Sequence, residues 1–214
     1  MSSTTMHHED ASTDMWAVTT RVIVYAAIGA ALYGVAAVFS ILIPGTANVS
    51  VRPAFALVTF FGFAFGPIVG FFTGFVGNMI ADQISGWGLL TSWNWSLANG
   101  FAGLLAGVFG VTLARTIPNK LVLAAVAAAL AVVIGFLFVF TDMVLGTADS
   151  FDVALTANYL PVITSNLVAA VILTPLLVAA WNRRRPSPWS GTASSPRRTC
   201  VAGAGRPSPP LPHT

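Results

Sequence analysis

Long apolar runs that carry almost no charge constrain this chain more than any other feature. Only 8% of its 214 residues are Asp, Glu, Lys or Arg, whereas an ordinary soluble domain carries roughly 25%. So few charged side chains cannot cover the surface of a soluble protein, and most of the surface must therefore face lipid. A helix needs ~20 apolar residues to cross ~30 Å of hydrocarbon, and several runs approach that length. We therefore predict an all-α membrane protein.

Four apolar runs predict membrane-spanning helices directly, and one further segment needs a decision. The four runs are residues 22–43, 96–114, 121–140 and 160–181. The remaining segment, residues 53–82, would be ~45 Å long as a single helix, which is long for one span and short for two. Gly66-Pro67 lies in its middle, and proline breaks a helix interior. We therefore predict two short helices, residues 53–65 and 67–81, joined by a tight hairpin.

The distribution of charge predicts the topology. Cytoplasmic loops are enriched in Lys and Arg. Six spans with the N-terminus inside place these basic residues inside: Arg21, Arg115, Lys120, Arg183, Arg184 and Arg185. The outer loops then hold Asp82, Asp142, Asp149 and Asp152, with Arg52 as the single basic exception. Because five spans would leave a basic cluster outside, we predict six transmembrane helices with both ends in the cytoplasm.

The two ends of the chain differ from the apolar middle. Residues 1–15 form a polar segment without the basic start of a secretory signal, so the first apolar run is expected to be a retained anchor. The transmembrane domain is predicted over residues 16–182. Residues 183–214 are rich in Pro, Ser, Gly and Arg, a composition that cannot bury a core and predicts a disordered tail. The net charge of +3 arises at helix ends and in this tail, which favours membrane topology over nucleic-acid binding.

Small residues recur at a spacing of four in the first predicted helix. Ala26, Ala30 and Gly34 share one face, and Ala27 with Ala31 repeats the same spacing. In lipid, a face of small residues lets another helix approach closely. Two interpretations remain open: the face packs against the protein's own helices, or it docks on a separate membrane subunit.

Glycines also recur along the third predicted helix. They are Gly66, Gly70, Gly74 and Gly77. Their spacing predicts a close contact with a neighbouring helix.

An aromatic and amide cluster follows the third predicted helix. Trp87, Trp93 and Trp95 lie at one predicted membrane boundary, together with Asn94 and Asn99. An interfacial aromatic belt explains any one of these tryptophans. Taken together they indicate a binding wall, because aromatic faces stack on flat heterocycles and amides supply directional hydrogen bonds.

Polar residues at membrane depth indicate a cavity near the last two predicted helices. Asp142 ends the fifth helix, and Asn158 and Asn166 lie two turns apart on the sixth, so the two amides could share one face. Such groups are costly in lipid and usually face a cavity or a partner. An interhelical hydrogen bond for Asn166, and solvation for Asp142, remain open as alternatives.

Arg52 is the one basic residue on the predicted outer side, next to Asn48. It could pair with an outer acid, either Asp82 or Asp142. It could also bind an anionic or carbonyl group of a ligand. Position alone does not choose between these roles.

Sequence signatures of enzymes are not found. The three histidines are His7, His8 and His213, and there is no H-E-x-x-H, G-x-S-x-G or P-loop pattern. We therefore expect no catalysis, no metal and no cofactor, and an ATPase would have to be another polypeptide. Two alternatives stay open: a small membrane enzyme or assembly factor using Asp82 or Asp142, and a stand-alone facilitator.

Several local motifs together resemble a known family. They are the small face Ala26-x-x-x-Ala30, the loop Val51-Arg52-Pro53, the join Phe65-Gly66-Pro67-Ile68-Val69-Gly70 leading to Gly74-Phe75-Val76-Gly77-Asn78, and the aromatic and amide cluster. With these motifs, residues 16–182 resemble the S component of energy-coupling factor (ECF) transporters. The likeness is nearest to the branch of riboflavin-type and uncharacterised S components.

The resemblance implies a fold, a function and a set of partners. It implies a six-helix bundle in the bacterial cytoplasmic membrane that captures a vitamin or related micronutrient, such as a small heterocycle. It also implies docking on a membrane T component that is coupled to two ATP-binding subunits. The implied docking residues are Ala26, Ala30 and Gly34. The pocket candidates, which rest on region and chemistry, are Asn48, Arg52, Trp93, Asn94, Asn99, Asp142, Asn158 and Asn166.

Overall fold

The computed structural model describes residues 15–45 and 50–183. The predicted tail therefore lies outside the described residues, except for Arg183, and so does the predicted polar segment, except for Met15. Asn48 also lies outside them.

Six helical stretches make up most of the described chain. They are α1 (Thr20–Ala36), α2 (Phe55–Phe65), α3 (Pro67–Ile84), α4 (Trp93–Arg115), α5 (Lys120–Val144) and α6 (Phe151–Arg183). Among the described residues, α4, α5 and α6 are long and apolar enough to cross a membrane, and α1 and α2 are shorter apolar helices. This architecture agrees with the predicted all-α membrane fold.

Two of the long helices contain irregular segments near the same end of the bundle. Helix α5 is regular over Lys120–Gly135 and continues as a 3₁₀ segment, Phe136–Phe140, before a last turn. Helix α6 begins with a short turn and a π-helical segment, Ala154–Tyr159, before Leu160–Arg183. Extra residues in a π turn rotate the side chains that precede it relative to those that follow it.

The first predicted span is too long. Helix α1 ends at Ala36, whereas we predicted a span to residue 43. The chain turns there, and Ile41–Leu42 (β1) pairs antiparallel with Ser50–Val51 (β2). A short run of apolar and β-branched residues suits a strand as well as a helix, so hydropathy alone cannot set this boundary.

The predicted break between the second and third helices is confirmed. Gly66 has φ 108°, a left-handed conformation that glycine adopts without steric cost. Pro67 then occupies the first position of α3, where its missing N–H leaves no bond unmade. The two residues therefore end α2 and start α3 at one sharp turn.

Helices α2, α3 and α4 meet at glycines with almost no side chain between them. A Cβ added to Gly70 would overlap the carbonyl group of Gly103, and one added to Gly103 would overlap that of Gly70. Gly62 faces the same carbonyl group of Gly103, and Gly74 faces that of Asn99. The predicted close contact of the α3 glycines is therefore confirmed, with α4 as a partner.

The small face of α1 packs inside the protein. Ala26, Ala30 and Gly34 are buried. A Cβ added to Gly77 of α3 would touch Ala30 at 3.0 Å, and one added to Gly34 would touch Ile80 at 2.7 Å. Of the two interpretations of this face, the structure shows packing against the protein's own helix α3, and docking through these three residues stays a prediction.

We predict that Gly70→Ala lowers the free energy of unfolding by about 1–3 kcal/mol, because the new methyl group meets rigid backbone. Gly110→Ala is the matched control on α4, since its nearest neighbour is the side chain of Phe63, at 2.8 Å, which can shift. Thermal unfolding in detergent should rank Gly70→Ala clearly below Gly110→Ala. Equal midpoints for the two variants would contradict the backbone contact.

Candidate functional site

A cavity of about 170 Å³ lies where β2, the end of α3 and the start of α4 meet α6. Its wall combines two indole rings with polar side chains and a few apolar ones. The lining residues are Tyr33, Ser50, Arg52, Asn78, Asp82, Trp87, Ser92, Trp95, Asn99, Phe136, Val162 and Asn166. Aromatic surface with a small number of placed polar groups is the usual composition of a small-molecule site.

Arg52 is held at the cavity by two side chains of α3. It directly follows β2, so the hairpin delivers it to the wall. Its Nη1 donates to Asn78 Oδ1 at 2.8 Å, and its Nη2 lies 3.6 Å from Asp82 Oδ1. Of the two outer acids that the sequence left open as partners for Arg52, the structure therefore shows Asp82.

Asn78 connects this ion pair to α4. Its Nδ2 donates to Asp82 Oδ2 at 2.9 Å, one helical turn away, and to Ser96 Oγ at 3.1 Å. The amide therefore uses both its donor and its acceptor group, so that a buried polar residue is satisfied.

Tyr33 and Asn99 form a second polar contact in the cavity wall. The Tyr33 hydroxyl donates to Asn99 Oδ1 at 2.9 Å, and Asn99 Nδ2 donates to the backbone oxygen of Trp95 at 2.8 Å. The ring of Tyr33 is fully buried. Helix α1 thus contributes to the cavity on its inward face.

Asn166 differs from the other amides of the wall. It is buried and lines the cavity, yet its side chain makes no hydrogen bond within the part of the chain that the structure describes. An amide carries donors and acceptors that need partners when they leave water. Asn166 is therefore the group in the wall best placed to bond to a ligand.

A separate polar cluster, which we call the Asp142 cluster, lies next to the cavity. The Asp142 carboxylate accepts from Asn94 Nδ2 at 2.6 Å and from Asn158 Nδ2 at 2.8 Å. Trp95 Nε1 donates to its two oxygens at 3.3 and 3.1 Å. These four residues, Asn94, Trp95, Asp142 and Asn158, join α4, α5 and α6, and only Trp95 also lines the cavity.

Three of the predicted pocket residues line the cavity: Arg52, Asn99 and Asn166. Three more, Asn94, Asp142 and Asn158, belong to the Asp142 cluster and do not line it. Trp93 is 43% exposed and belongs to neither group, which fits an interfacial tryptophan. Asn48 lies outside the described residues.

The two amides of α6 do not share one role. Asn158 donates to Asp142, whereas Asn166 lines the cavity. The expectation that they share a face assumed a regular helix. Asn158 instead lies in the π-helical segment Ala154–Tyr159, which changes the angular relation between residues on its two sides.

Sequence reasoning missed Tyr33 and Asn78 as wall residues. Asn78 had the same signal as Asn166, an amide inside an apolar helix, and the cost of burying it in lipid would have identified it. Tyr33 had no such signal, because a tyrosine near a helix end is common at membrane interfaces.

Comparison with known proteins identifies a family for most of the chain. Residues 17–182 match the family described as "ECF-type riboflavin transporter, S component". A UPF0397 protein of Aliivibrio salmonicida is 39% identical over 97 residues, which cover 45% of this chain and 52% of that relative. A UPF0397 protein of Vibrio atlanticus is 40% identical over 89 residues, covering 42% of this chain and 48% of the relative. The chain thus spans about half the length of the curated relatives it matches. No solved structure matches it significantly.

We predict that Arg52→Ala destabilises the protein by about 1–3 kcal/mol, because it leaves Asp82 and Asn78 buried without their partner. In the double variant Arg52→Ala/Asp82→Asn the uncompensated carboxylate is gone, so the loss should be smaller than the sum of the two single losses. Unfolding in detergent measures this coupling. Arg115→Ala, an exposed arginine, is the control. Strict additivity of the two changes would contradict the pairing.

Proposed function

The chain belongs to the family of ECF-type riboflavin transporter S components, and from this premise we propose that it captures a small vitamin-like heterocycle for an ATP-driven importer. The family consists of membrane transporter subunits and not of enzymes. In this proposal the cavity beside Arg52 binds the substrate. A membrane T component with two ATP-binding subunits then supplies the energy for uptake.

The free amide of Asn166 beside two indole rings is the observation that carries the proposal. Trp87 and Trp95 offer aromatic surface for a flat ring, and Asn166 offers a donor and an acceptor that no group of the described residues uses. Arg52 adds to this, because a guanidinium has five N–H donors and its protein contacts leave some of them for a ligand carbonyl.

The size of the cavity limits the ligand. Its volume of about 170 Å³ is below the ~300–1,000 Å³ usual for drug-sized ligands, and slightly above a ~150 Å³ cavity that binds benzene. The cavity therefore suits one ring system.

We further propose six membrane spans with both ends in the cytoplasm, which places the cavity on the outer side. Helix α4 runs from the cavity end to Arg115, and the short connection to Lys120 begins α5 at the opposite end. Helix α6 ends there too, at Arg183. Basic residues gather at that end, as the positive-inside rule expects, so the cavity faces outward where an importer meets its substrate.

We predict that Asn166→Leu weakens substrate binding by about tenfold or more, because it removes the free hydrogen-bonding group at nearly constant volume. Native mass spectrometry of the purified chain should reveal a co-purified small molecule, and its dissociation constant is then compared between variants. The matched control is Ser165→Ala, since the Ser165 hydroxyl donates to the Val162 oxygen of its own helix.

The same measurement can contradict the proposal. Equal affinity in Asn166→Leu and Ser165→Ala would show that the substrate does not bind in this cavity. Flux of the molecule into liposomes without any ATP-binding subunit would show a facilitator instead of a capturing subunit.

For docking on the T component we propose the outward face of α1. Ala27 and Ala31 are exposed and keep the spacing of four, while Ala26 and Ala30 are buried. Exposed branched side chains flank this pair: Ile23, Val24, Ile28 and Val35. A small-residue face that none of the described helices covers is suited to a close contact with another membrane helix.

We predict that Ala31→Trp abolishes ATP-dependent uptake in the full complex and leaves substrate binding to the isolated chain unchanged, because the bulky ring blocks close approach. Val168→Trp, an exposed position on α6, should leave both activities intact. Reconstituted vesicles with the T component and both ATP-binding subunits provide the assay. Normal uptake by Ala31→Trp would exclude this face as the docking surface.

A further inference from the structure

Trp95 connects the cavity to a buried carboxylate. Its ring lines the cavity, while its Nε1 donates to both oxygens of Asp142. Asp142 is 4% exposed and does not itself line the cavity. A carboxylate so placed acts on a ligand through the tryptophan and not by contact.

Three side chains of the described residues donate hydrogen bonds to the carboxylate. Besides Trp95, the donors are the amides of Asn94 and Asn158. An acceptor-only group with converging N–H donors is an ionised carboxylate. No lysine or arginine contacts Asp142 within the described ranges, so its negative charge is spread over neutral donors and not cancelled.

The other charges of the site do not offset Asp142. Arg52 and Asp82 form an ion pair with each other, which leaves the sum of the three charges at one negative. Charge acts over longer distances in a protein interior than in water, because the effective dielectric constant is lower. The wall around Trp95 is therefore electronegative.

The hydrogen bond also changes the indole itself. Donating an N–H to an anion raises the electron density of the ring, and the face of an aromatic ring is already its negative part. A more negative face attracts cations and electron-poor rings more strongly. Both effects, the local charge and the polarised ring, favour the same kind of ligand.

We propose that Asp142 is a positioning residue that orients and polarises Trp95, and that the cavity consequently selects flat heterocycles that are cationic or electron-poor. The inference rests on the proposed capture of a heterocycle in this cavity and adds the electronic class of the substrate. It also gives the Asp142 cluster a role in recognition without contact to the ligand.

The test compares two probes of the same shape and different charge. 1-Methylnicotinamide is a pyridinium cation, and 3-methylbenzamide is its neutral counterpart. Both are single rings with one primary amide that Asn166 can bond. Their dissociation constants are measured on the full chain in nanodiscs by quenching of tryptophan fluorescence. We expect the wild-type protein to prefer the cation by about tenfold.

The variant Asp142→Asn removes the charge and keeps the shape. It should reduce the preference to about twofold or less. Asp149→Asn is the matched control, because it removes an exposed carboxylate from the loop that follows α5, and it should keep the full preference. The indole ¹H–¹⁵N resonance of Trp95, assigned by its loss in Trp95→Phe, should move upfield in Asp142→Asn and stay in place in Asp149→Asn.

A second variant covers the case in which Asp142→Asn does not fold. Trp95→Phe keeps an aromatic ring and the Asp142 charge but removes the N–H link, so it should lower the preference less than Asp142→Asn does. An unchanged preference in either variant overturns the inference. Equal binding of both probes by the wild-type protein, or no binding of either probe, also overturns the inference. These outcomes leave the proposed function intact, since that depends on the co-purified molecule, its loss of affinity in Asn166→Leu, and ATP-dependent uptake.

Discussion

The backbone contact among α2, α3 and α4 is the interaction on which the site depends. Gly70 and Gly103 meet without side chains between them, and Gly74 packs on the carbonyl group of Asn99. Because the two helices are so close, a side chain of α3 one turn beyond Gly74 reaches α4, where Asn78 donates to Ser96. Lipid offers no hydrophobic force between helices, so tight packing of this kind has to supply the association. A wider separation of α3 and α4 would leave the Asn78 amide buried without Ser96, which would lower the free energy of unfolding.

The polar groups of the site form two networks with different roles. The network of Arg52, Asn78 and Asp82 opens on the cavity, and its charges cancel. The Asp142 cluster joins α4, α5 and α6 behind the wall, and its charge does not cancel. Trp95 is the residue shared between the second network and the cavity. Burying polar groups at membrane depth is costly, and most polar groups of the two networks meet that cost with hydrogen bonds inside their own network. Among the described residues the Asn166 side chain, which lines the cavity, makes no such bond.

Much of the fold could be predicted from the sequence, because hydropathy and proline act locally. The apolar runs predicted the long helices, and Gly66-Pro67 predicted a turn that the structure confirms. The end of α1 could not be predicted, since a β-branched apolar run suits a strand as well as a helix. For the site, the sequence predicted the region of the cavity but not the role of each residue in it. Asn158 departs from its expected face because a π-helical segment interrupts the regular period, and a helical wheel contains no information about such a segment.

The spacing of small residues also could not show which side of α1 faces a partner. A spacing of four is shared by Ala26 with Ala30 and by Ala27 with Ala31, so the sequence cannot tell which pair faces a partner. Burial separates them, because the first pair packs on α3 and the second is exposed. Tyr33, one turn further along α1, donates to Asn99 in the cavity wall. One helix thus presents a hydroxyl of the cavity wall on its inner side and the proposed docking surface on its outer side. A ligand in the cavity would therefore lie next to the Tyr33–Asn99 bond on one side of α1, and a docked subunit would contact the other side of the same helix.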